Sequence, residues 1–484
     1  MSQGLARFLV FATSASVLVL EVLAVRLLAP YLGISLEVFT GIIGVVLAGI
    51  SVGAWAGGRL ADISDPTRLP GWFLIAGGLA AVASPLIVDL VGPGFSSSST
   101  DPLAIVMVAM LAFFAPAAVL SGVPPVVVKI RLANLEETGT VVGSYSAIGT
   151  AGALVGTFVT GFVLIAAFPT RPVIFVVGGL LVATGAVLVG TRSLWAVGGI
   201  VALGAMLLVF DGPCQYETSY HCAIVVEDPT RPTGRTLLLD GVRNSYVDLA
   251  DPTHLEFRYL RVIDDVVGVE LGSGALTVVH VGGGGFTFPG YLASTRPGTS
   301  NTVLEIDREL IDIGMTNLGF DHPEAVVVGD ARLSLLAVPQ DSLDLVVGDA
   351  FSGYSVPWHL TTVEFIEEIA FRLRPGGIYV ANIIDYPALD FVRRELASML
   401  EVFDHVAVLA PATYLGGTSG GNFVVVGSDL PLDLFGIAAE TAARGGVESA
   451  LEGPDLVAFV GDAPALVDDF APVDQLLTLP RLAG

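Results

Sequence analysis

Three acidic side chains, each at the end of a predicted buried strand, are the groups in this sequence best placed to do chemistry. Glu305 ends the second strand, Asp330 follows the third and Asp349 follows the fourth. Parallel sheets bind ligands at the edge formed by the carboxyl ends of their strands. There, Glu305 can accept both ribose hydroxyls of a nucleoside, Asp330 can accept from an adenine amino group, and Asp349 can orient or deprotonate a nucleophile. Each acid could instead cap a helix, Asp330 above all.

A run of four glycines precedes these acids. The first predicted strand leads directly into Gly282 to Gly285, which Phe286 follows. Glycine lets a ligand approach the backbone, and such a loop opens a helix. Glu305 comes about twenty residues later, the separation at which an acid binds the ribose in nucleotide sites. Together they predict a site for an adenosine-type ligand that contacts Gly282, Gly283 and Gly284.

Alternating strands and helices position these residues. The strands are predicted at 276–281, 301–306, 325–328, 343–348 and 377–383. A helix is predicted from His254 to about Val266, and others lie between the strands. Such alternation implies right-handed crossovers and a parallel, doubly wound sheet in a domain over residues 254–484. Period-two strands around 220–226 and 236–239 predict a small β-rich lead-in over residues 211–253.

Seven apolar runs make residues 1–210 a predicted transmembrane domain of about seven α-helices. Each run can cross roughly 30 Å of hydrocarbon, and they lie at 7–28, 37–58, 71–92, 103–127, 140–167, 172–190 and 194–210. Gly149, Gly152 and Gly156 recur at three- and four-residue spacing, which lets helix backbones approach closely in a packed bundle. We therefore expect a multi-pass protein of the cell membrane, with the lipid bilayer as a partner.

Charge divides the chain at the same place. Residues 1–210 hold eight basic and eight acidic side chains, whereas 211–484 hold fourteen arginines and thirty-nine acids, which accounts for the net charge of −25. An acidic domain repels nucleic acid phosphates and attracts cations, although a soluble, salt-adapted surface would look the same. We expect no nucleic-acid partner. The two cysteines lack companion ligands at a zinc-type spacing, so we predict no metal site.

The sequence leaves the side of the soluble domain open. With the N-terminus in the cytoplasm, six basic residues lie inside and only Arg26 and Arg171 outside, as the positive-inside rule favours. Seven spans would then leave the acidic domain outside, whereas a cytosolic ligand demands the reverse or an even number of spans. Cys214 and Cys222 follow the last span and fit either a disulfide in an oxidising compartment or two buried thiols.

These motifs resemble those of the spermidine synthase family of aminopropyltransferases, in its membrane-fused variety with an N-terminal multi-span region. The similarity covers roughly residues 214–430. The matching positions are Tyr216-Glu217, Ser219 to His221, Leu239 to Gly241, His254 to Glu256, the glycine loop, Leu304 to Asp307, Gly329 to Ala331, and Asp349. The resemblance implies a Rossmann-like sheet of the class I methyltransferase type behind the β lead-in.

In this family, decarboxylated S-adenosylmethionine donates its aminopropyl group to the amine of putrescine and leaves methylthioadenosine. By resemblance, Glu305 binds the ribose, Asp330 binds the adenine, and Asp349 is the catalytic base that frees the attacking amine. The donor is a co-substrate, so we expect no permanently bound cofactor.

The resemblance also extends to the acceptor. The positions expected to bind putrescine or a related amine are Tyr246, His254, Glu256 and Ser352. Family members commonly dimerise through the soluble domain, which leaves a homodimer open here. The function implied is that of a membrane-bound, spermidine synthase-like aminopropyltransferase acting on a polyamine or another amine.

Two positions depart from the family pattern, and both lie in its amine-binding part. Gly285 stands where the family usually has an Asp that contacts the donor's aminopropyl amine, and Ser352 stands where it has a second Asp for the acceptor. Two alternatives therefore stay open. One is an S-adenosylmethionine-dependent transferase with another acceptor, since the same fold serves methyl transfer. The other is a transporter or scaffold whose soluble domain senses a nucleoside or polyamine without catalysis.

Overall fold

The computed structural model describes residues 1–33, 35–94, 102–132, 138–190 and 212–477. The chain divides into two compact units, Met1–Ala223 and Ile224–Arg481. The first is dominated by long apolar helices and the second by a β-sheet flanked by helices.

Six long helices form the first unit. They are α1 (Gln3–Leu32), α2 (Leu36–Ile63), α3 (Leu69–Gly94), α4 (Pro102–Arg131), α5 (Thr138–Ala167) and α6 (Thr170–Val189). Each is long and apolar enough to cross a membrane, by length and composition. The seventh predicted span, residues 194–210, lies outside the described residues.

Glycines bring α1 and α5 into backbone contact. A Cβ atom at Gly152 would overlap the carbonyl oxygen of Phe11, and one at Gly156 would overlap that of Ala15. Only residues without a side chain permit this approach, which brings the two helix backbones into van der Waals contact. The glycine spacing in the sequence therefore marks the face of α5 that packs on α1.

A small antiparallel sheet follows the bundle in sequence. Its strands are β1 (Tyr216–Glu217), β2 (Cys222–Glu227), β3 (Gly234–Leu239) and β4 (Val242–Asp248), in the order β1-β2-β3-β4. Asp240 and Gly241 connect β3 to β4, and both have positive φ angles, as a tight hairpin turn requires. A disulfide joins Cys214 to Cys222 at the start of this segment. The predicted β lead-in is therefore present as a hairpin-based sheet.

An eight-stranded mixed sheet forms the centre of the second unit. Its strands are β5 (Thr277–Val281), β6 (Ser300–Glu305), β7 (Val326–Val328), β8 (Leu343–Gly348), β9 (Leu373–Asp385), β10 (His405–Pro411), β11 (Gly421–Ser428) and β12 (Glu448–Glu452), in the order β12-β10-β11-β9-β8-β5-β6-β7. The five strands from β7 to β9 are parallel. The pairs from β9 to β12 are antiparallel. The doubly wound, class I methyltransferase-type fold is confirmed, with an antiparallel extension.

Helices cover both faces of this sheet. They are α7 (Arg258–Leu271), α8 (Thr287–Thr295), α9 (Arg308–Asn317), α10 (Ala331–Leu335), α11 (Val363–Arg372), α12 (Asp390–Leu400), α13 (Ala412–Leu415), α14 (Leu434–Ala443), α15 (Gly453–Val460) and α16 (Val473–Leu476). Two apolar clusters, centred on Phe365 and Ile263, lie between helices and sheet. Burial on both faces explains why the strands read as unbroken Val, Ile and Leu runs.

The helix predicted from His254 begins later, at Arg258. The carboxylate of Asp251 accepts from the backbone N–H of Thr253 at 3.1 Å, and the Asp251 carbonyl accepts from the N–H of His254 at 3.1 Å. These bonds make a local turn that competes with a helix. The prediction of helix at 254–257 was therefore wrong.

Candidate active site

Glu305 is fixed at the end of β6 by two backbone donors. Its Oε2 accepts from the N–H of Gly283 and its Oε1 from the N–H of Asp307, both at 2.8 Å. The residue is buried, and each carboxylate oxygen keeps a further lone pair. The carboxylate thus has one orientation before any ligand binds, which suits recognition of two adjacent hydroxyls.

Gly282 allows the glycine loop to run against the end of β8. Its φ angle is +95°, which L side chains rarely adopt, and a Cβ atom there would lie 2.7 Å from the carbonyl oxygen of Asp349. The N–H of Asp349 in turn donates to the carbonyl of Val281 at 2.9 Å. The loop and Asp349 therefore share one edge of the sheet, as the sequence predicts.

Asp330 caps a helix and also pairs with a histidine. One oxygen accepts from the N–H of Leu333 at 3.0 Å at the start of α10, and the other lies 2.8 Å from His359 Nε2. Next to it, the N–H of Gly329 donates to the carbonyl of Glu305 at 2.9 Å. The capping interpretation holds, and the residue also follows the strand that pairs with β6 at Glu305.

Asp349 receives a hydrogen bond on each carboxylate oxygen. Asn382 Nδ2 donates to Oδ1 at 2.9 Å, and the Tyr259 hydroxyl donates to Oδ2 at 2.9 Å. Asn422 Nδ2 donates to Asn382 Oδ1 at 2.9 Å and so fixes which end of that amide faces Asp349. All the donors are neutral, and nothing in this network carries a compensating positive charge.

Burial raises the pKa of Asp349 to about 6, while the hydrogen bonds from Asn382 and Tyr259 act in the opposite direction. A carboxylate that titrates this close to neutrality accepts a proton more readily than an ordinary aspartate. It is mostly ionised at pH 7, which is the form a base requires. Asp349 therefore has the position and the protonation behaviour of a general base.

The residues predicted to bind the acceptor fall into two places. Tyr246 and His254 pack edge to face, with ring centroids 5.7 Å apart, and His254 Nε2 lies 3.3 Å from Glu256 Oε2. The Tyr246 hydroxyl donates to Asp228 at 2.9 Å, and the Tyr246 carbonyl accepts from Thr287 at the start of α8. These three residues form one cluster beside the helix that follows the glycine loop.

Ser352 occupies a tight turn after β8. Its N–H donates to the carbonyl of Ser355 at 2.8 Å, and the N–H of Ser355 donates back at 3.3 Å. The turn lies three residues beyond Asp349. Ser352 therefore stays close to the base in sequence, with its backbone used to close the loop.

The space beside Gly285 is filled by Ser245 of β4. The N–H of Gly285 donates to Ser245 Oγ at 2.9 Å, and a Cβ atom at position 285 would lie 2.6 Å from Ser245 Cβ. The neighbouring Gly284 would bring a Cβ atom to 2.6 Å from Asn244 Oδ1. A side chain at position 285, where the family usually has an aspartate, would therefore begin where β4 packs.

The chain is similar in sequence to known aminopropyltransferases and spermidine synthases. No protein-family model matches the chain. A polyamine aminopropyltransferase from Vibrio vulnificus is 29% identical over 148 residues, which are 29% of this chain and 49% of that protein. A spermidine synthase from Coffea arabica is 26% identical over 170 residues, 34% of this chain and 51% of its own length. The chain thus spans about half the length of these curated relatives.

One solved structure is matched almost completely in sequence. A probable spermidine synthase from Corynebacterium glutamicum is 32% identical to this chain, which covers 98% of it with 55% of its own residues, at a TM-score of 0.49. Sequence identity of 32% over 98% of a relative is sufficient to establish family membership. The chain belongs to the spermidine synthase family.

Two residues of this spermidine synthase-family site were missed from the sequence. Tyr259 is the second residue of α7, and its partner Asp349 is 90 residues away. Asn382 gave a readable signal, since it is a buried amide inside the otherwise apolar strand β9. A buried polar side chain in such a strand needs a partner. That need could have pointed to the neighbouring strand end at Asp349.

Within the described residues of this family member, no group of three or more His, Cys, Asp or Glu side chains is arranged to hold a metal ion.

Proposed function

We propose that the chain is a membrane-bound aminopropyltransferase that transfers the aminopropyl group of decarboxylated S-adenosylmethionine to putrescine or a related amine. The observation that carries this proposal is Asp349. It is a carboxylate at a strand end, held by two neutral donors, with a pKa raised to about 6, beside the glycine loop. A binding protein without catalysis has no need of a base with this pKa at this place.

The donor would lie along the edge formed by Gly282, Glu305 and Asp330. Glu305 would accept the two ribose hydroxyls, and Asp330 would accept from the adenine amino group while His359 holds its other oxygen. The positively charged sulfur would then lie towards Asp349. Its attraction to that carboxylate offsets part of the cost of burying the charge.

The reaction needs little more than alignment and one proton transfer. The acceptor arrives as an ammonium, which has no lone pair, and Asp349 takes one of its protons. The amine nitrogen then bonds to the carbon next to sulfur, the carbon–sulfur bond breaks, and its electron pair stays on sulfur as neutral methylthioadenosine. Close approach of the two reacting atoms supplies most of the remaining acceleration.

The acceptor would bind next to the cluster of Tyr246, His254 and Glu256, and Ser352, three residues after Asp349, would complete this part of the site. Glu256 supplies the negative charge that suits the distal ammonium of a diamine. Placement of the first 210 residues in a bilayer is part of the proposal, supported by the six described helices that are long and apolar enough to span one.

The steric filling of position 285 by Ser245 favours a second candidate, an S-adenosylmethionine-dependent transfer to another acceptor. Without an acid at position 285, the amino tail of the decarboxylated donor loses an expected partner. A donor with a different tail could then bind with comparable affinity. Full-length protein in detergent micelles would be titrated calorimetrically with decarboxylated S-adenosylmethionine, S-adenosylmethionine and methylthioadenosine, followed by product analysis with putrescine. Preference for the decarboxylated donor with spermidine formed supports our first proposal, and preference for S-adenosylmethionine supports the second.

Two variants separate binding from catalysis. Glu305→Gln should lose nucleoside affinity by tenfold or more (about 1.4 kcal/mol), because an amide cannot accept with both atoms. Asp349→Asn should keep methylthioadenosine binding and lose turnover. If the Asp349→Asn variant turned over at the parent rate, Asp349 would not be the base.

A further inference from the structure

The helical bundle has two chemically different ends. One, which we call the N-terminal end, is defined by contacts of Arg131 with Met1 and of Lys129 with Asp62. The other, the far end, is defined by contacts of Tyr31 and Arg171 with Asp89. Five described basic residues belong to the N-terminal end, four of them exposed: Arg7, Arg59, Arg68, Lys129 and Arg131.

The far end has two described basic residues, and both are in ion pairs, Arg171 buried and Arg26 half-buried. Arg171 binds both carboxylate oxygens of Asp89, one of them at 2.8 Å, and Tyr31 donates to the same carboxylate at 3.1 Å. Arg26 lies 3.5 Å from Glu217. An excess of Lys and Arg marks the cytoplasmic side of a membrane protein. The N-terminal end is therefore the cytoplasmic one.

The segment that leads out of the first unit is attached to the far end. Both carboxylate oxygens of Glu217 accept from the N–H of Thr170 at 3.0 Å, and the Thr170 hydroxyl donates to the same group. Arg26 also donates to the carbonyl of Thr218. Since Thr170 begins α6, residues 217 and 218 lie where that helix starts.

The described residues on the two sides of the gap at 191–211 lie at opposite ends of the bundle. Helix α6 has 20 residues and rises about 30 Å, and its last residue, Val189, lies against Gly71 at the N-terminal end. At Gly212 the chain is again beside Arg171 of the far end. The sequence in between contains the apolar run 194–210, which has the length of one membrane span.

We infer that the Rossmann-like unit is on the non-cytoplasmic side of the membrane and draws its substrates from there. The disulfide between Cys214 and Cys222 supports this independently, because it belongs to the far-end segment and such bonds persist in oxidising compartments. The two arguments, from charge and from cysteine chemistry, give the same side.

This location adds to the proposed function. Only one consequence, how the substrates reach the site, rests on that proposed function. A sulfonium nucleoside and a polyamine are both cationic and do not diffuse through a bilayer. A donor made in the cytoplasm would therefore need a transport step before the reaction.

Labelling with a membrane-impermeant maleimide tests the location without any measurement of activity. In intact cells, the full-length wild-type chain should react only after reduction, which frees Cys214 and Cys222. In a chain with both cysteines changed to serine, Glu401→Cys on the second unit should label in intact cells. The matched control Ser64→Cys, exposed at the N-terminal end, should label only after permeabilisation.

The reverse pattern, with Ser64→Cys labelled and Glu401→Cys protected in intact cells, would overturn the inference and leave the proposed chemistry intact. If the serine background fails to accumulate, protease added to intact cells carrying the otherwise native chain with a C-terminal tag gives the same answer. Loss of the tag supports the inference, and its survival until permeabilisation refutes it.

Discussion

Replacing Tyr259 by phenylalanine removes one of the two donors to Asp349 and little else. The hydroxyl donates at 2.9 Å, while the ring stacks on Phe257 at 5.9 Å, a contact that phenylalanine keeps. A hydrogen bond to a charged group contributes about 1.5–3 kcal/mol, and about 1.36 kcal/mol changes a pKa by one. We therefore expect Tyr259→Phe to raise the pKa of Asp349 above its present value of about 6, by about 1 to 2.

The direction of the effect on activity depends on which protonation state of Asp349 is active. The base must be ionised, so activity falls as pH drops through the pKa of Asp349, and a raised pKa moves that fall to higher pH. At pH 6 the ionised fraction would drop from about one half to between about one tenth and one hundredth, while rates near pH 9 would converge. The measurement is kcat/KM of the full-length enzyme against pH.

Tyr291→Phe is the matched control. Its hydroxyl donates at 2.7 Å to another aspartate of the same unit, Asp264, which has no contact with the predicted site. This variant should lose some stability and keep the parent pH profile. An acidic limb that stays in place in Tyr259→Phe, with binding of methylthioadenosine unchanged, would show that Asp349 is not the group whose ionisation limits the rate.

Three further predictions concern the loop and the core. Gly282→Ala should weaken methylthioadenosine binding at least tenfold by calorimetry, because its Cβ atom would meet the Asp349 carbonyl at 2.7 Å; binding at parent strength would contradict the packing. Gly285→Asp should lower donor affinity because of Ser245, and adding Ser245→Gly should restore it or exceed it. Glu395 is buried without a partner for its Oε2, and burial raises its pKa well above the usual range. The folded protein then holds a proton that the unfolded chain releases, so stability falls with rising pH, and Glu395→Gln should gain more in melting temperature at pH 8 than at pH 5.

The sequence was sufficient to predict the position of a residue where that position follows from its own strand. Glu305, Asp330 and Asp349 are each followed or preceded by a recognisable apolar run, so their common edge could be predicted from the parallel topology alone. The helix start at Arg258 could not, because an Asx turn at Asp251 outweighs the apolar periodicity that continues through it.

Contacts between distant segments explain the remaining differences. Tyr259 reaches Asp349 only because α7 packs on the sheet, and nothing local to Tyr259 distinguishes it from a core aromatic. The absence of an acid at Gly285 looked like a lost function in the sequence. In the structure Ser245, forty residues earlier, packs against that position, and only the geometry of β4 shows this contact. The assignment of Tyr246, His254, Glu256 and Ser352 to the acceptor stays a prediction.

The pair Asn422 and Asn382 ties the reactive carboxylate to the antiparallel extension of the sheet. Asn422 belongs to β11, and its amide determines that Asn382 presents N–H groups, not its oxygen, to Asp349. A fragment trimmed to the five parallel strands would retain Glu305, Asp330 and Asp349. It would nonetheless free the Asn382 amide to rotate and turn its oxygen towards a carboxylate. Any minimal version that keeps this network must therefore include β11, to at least Ser428.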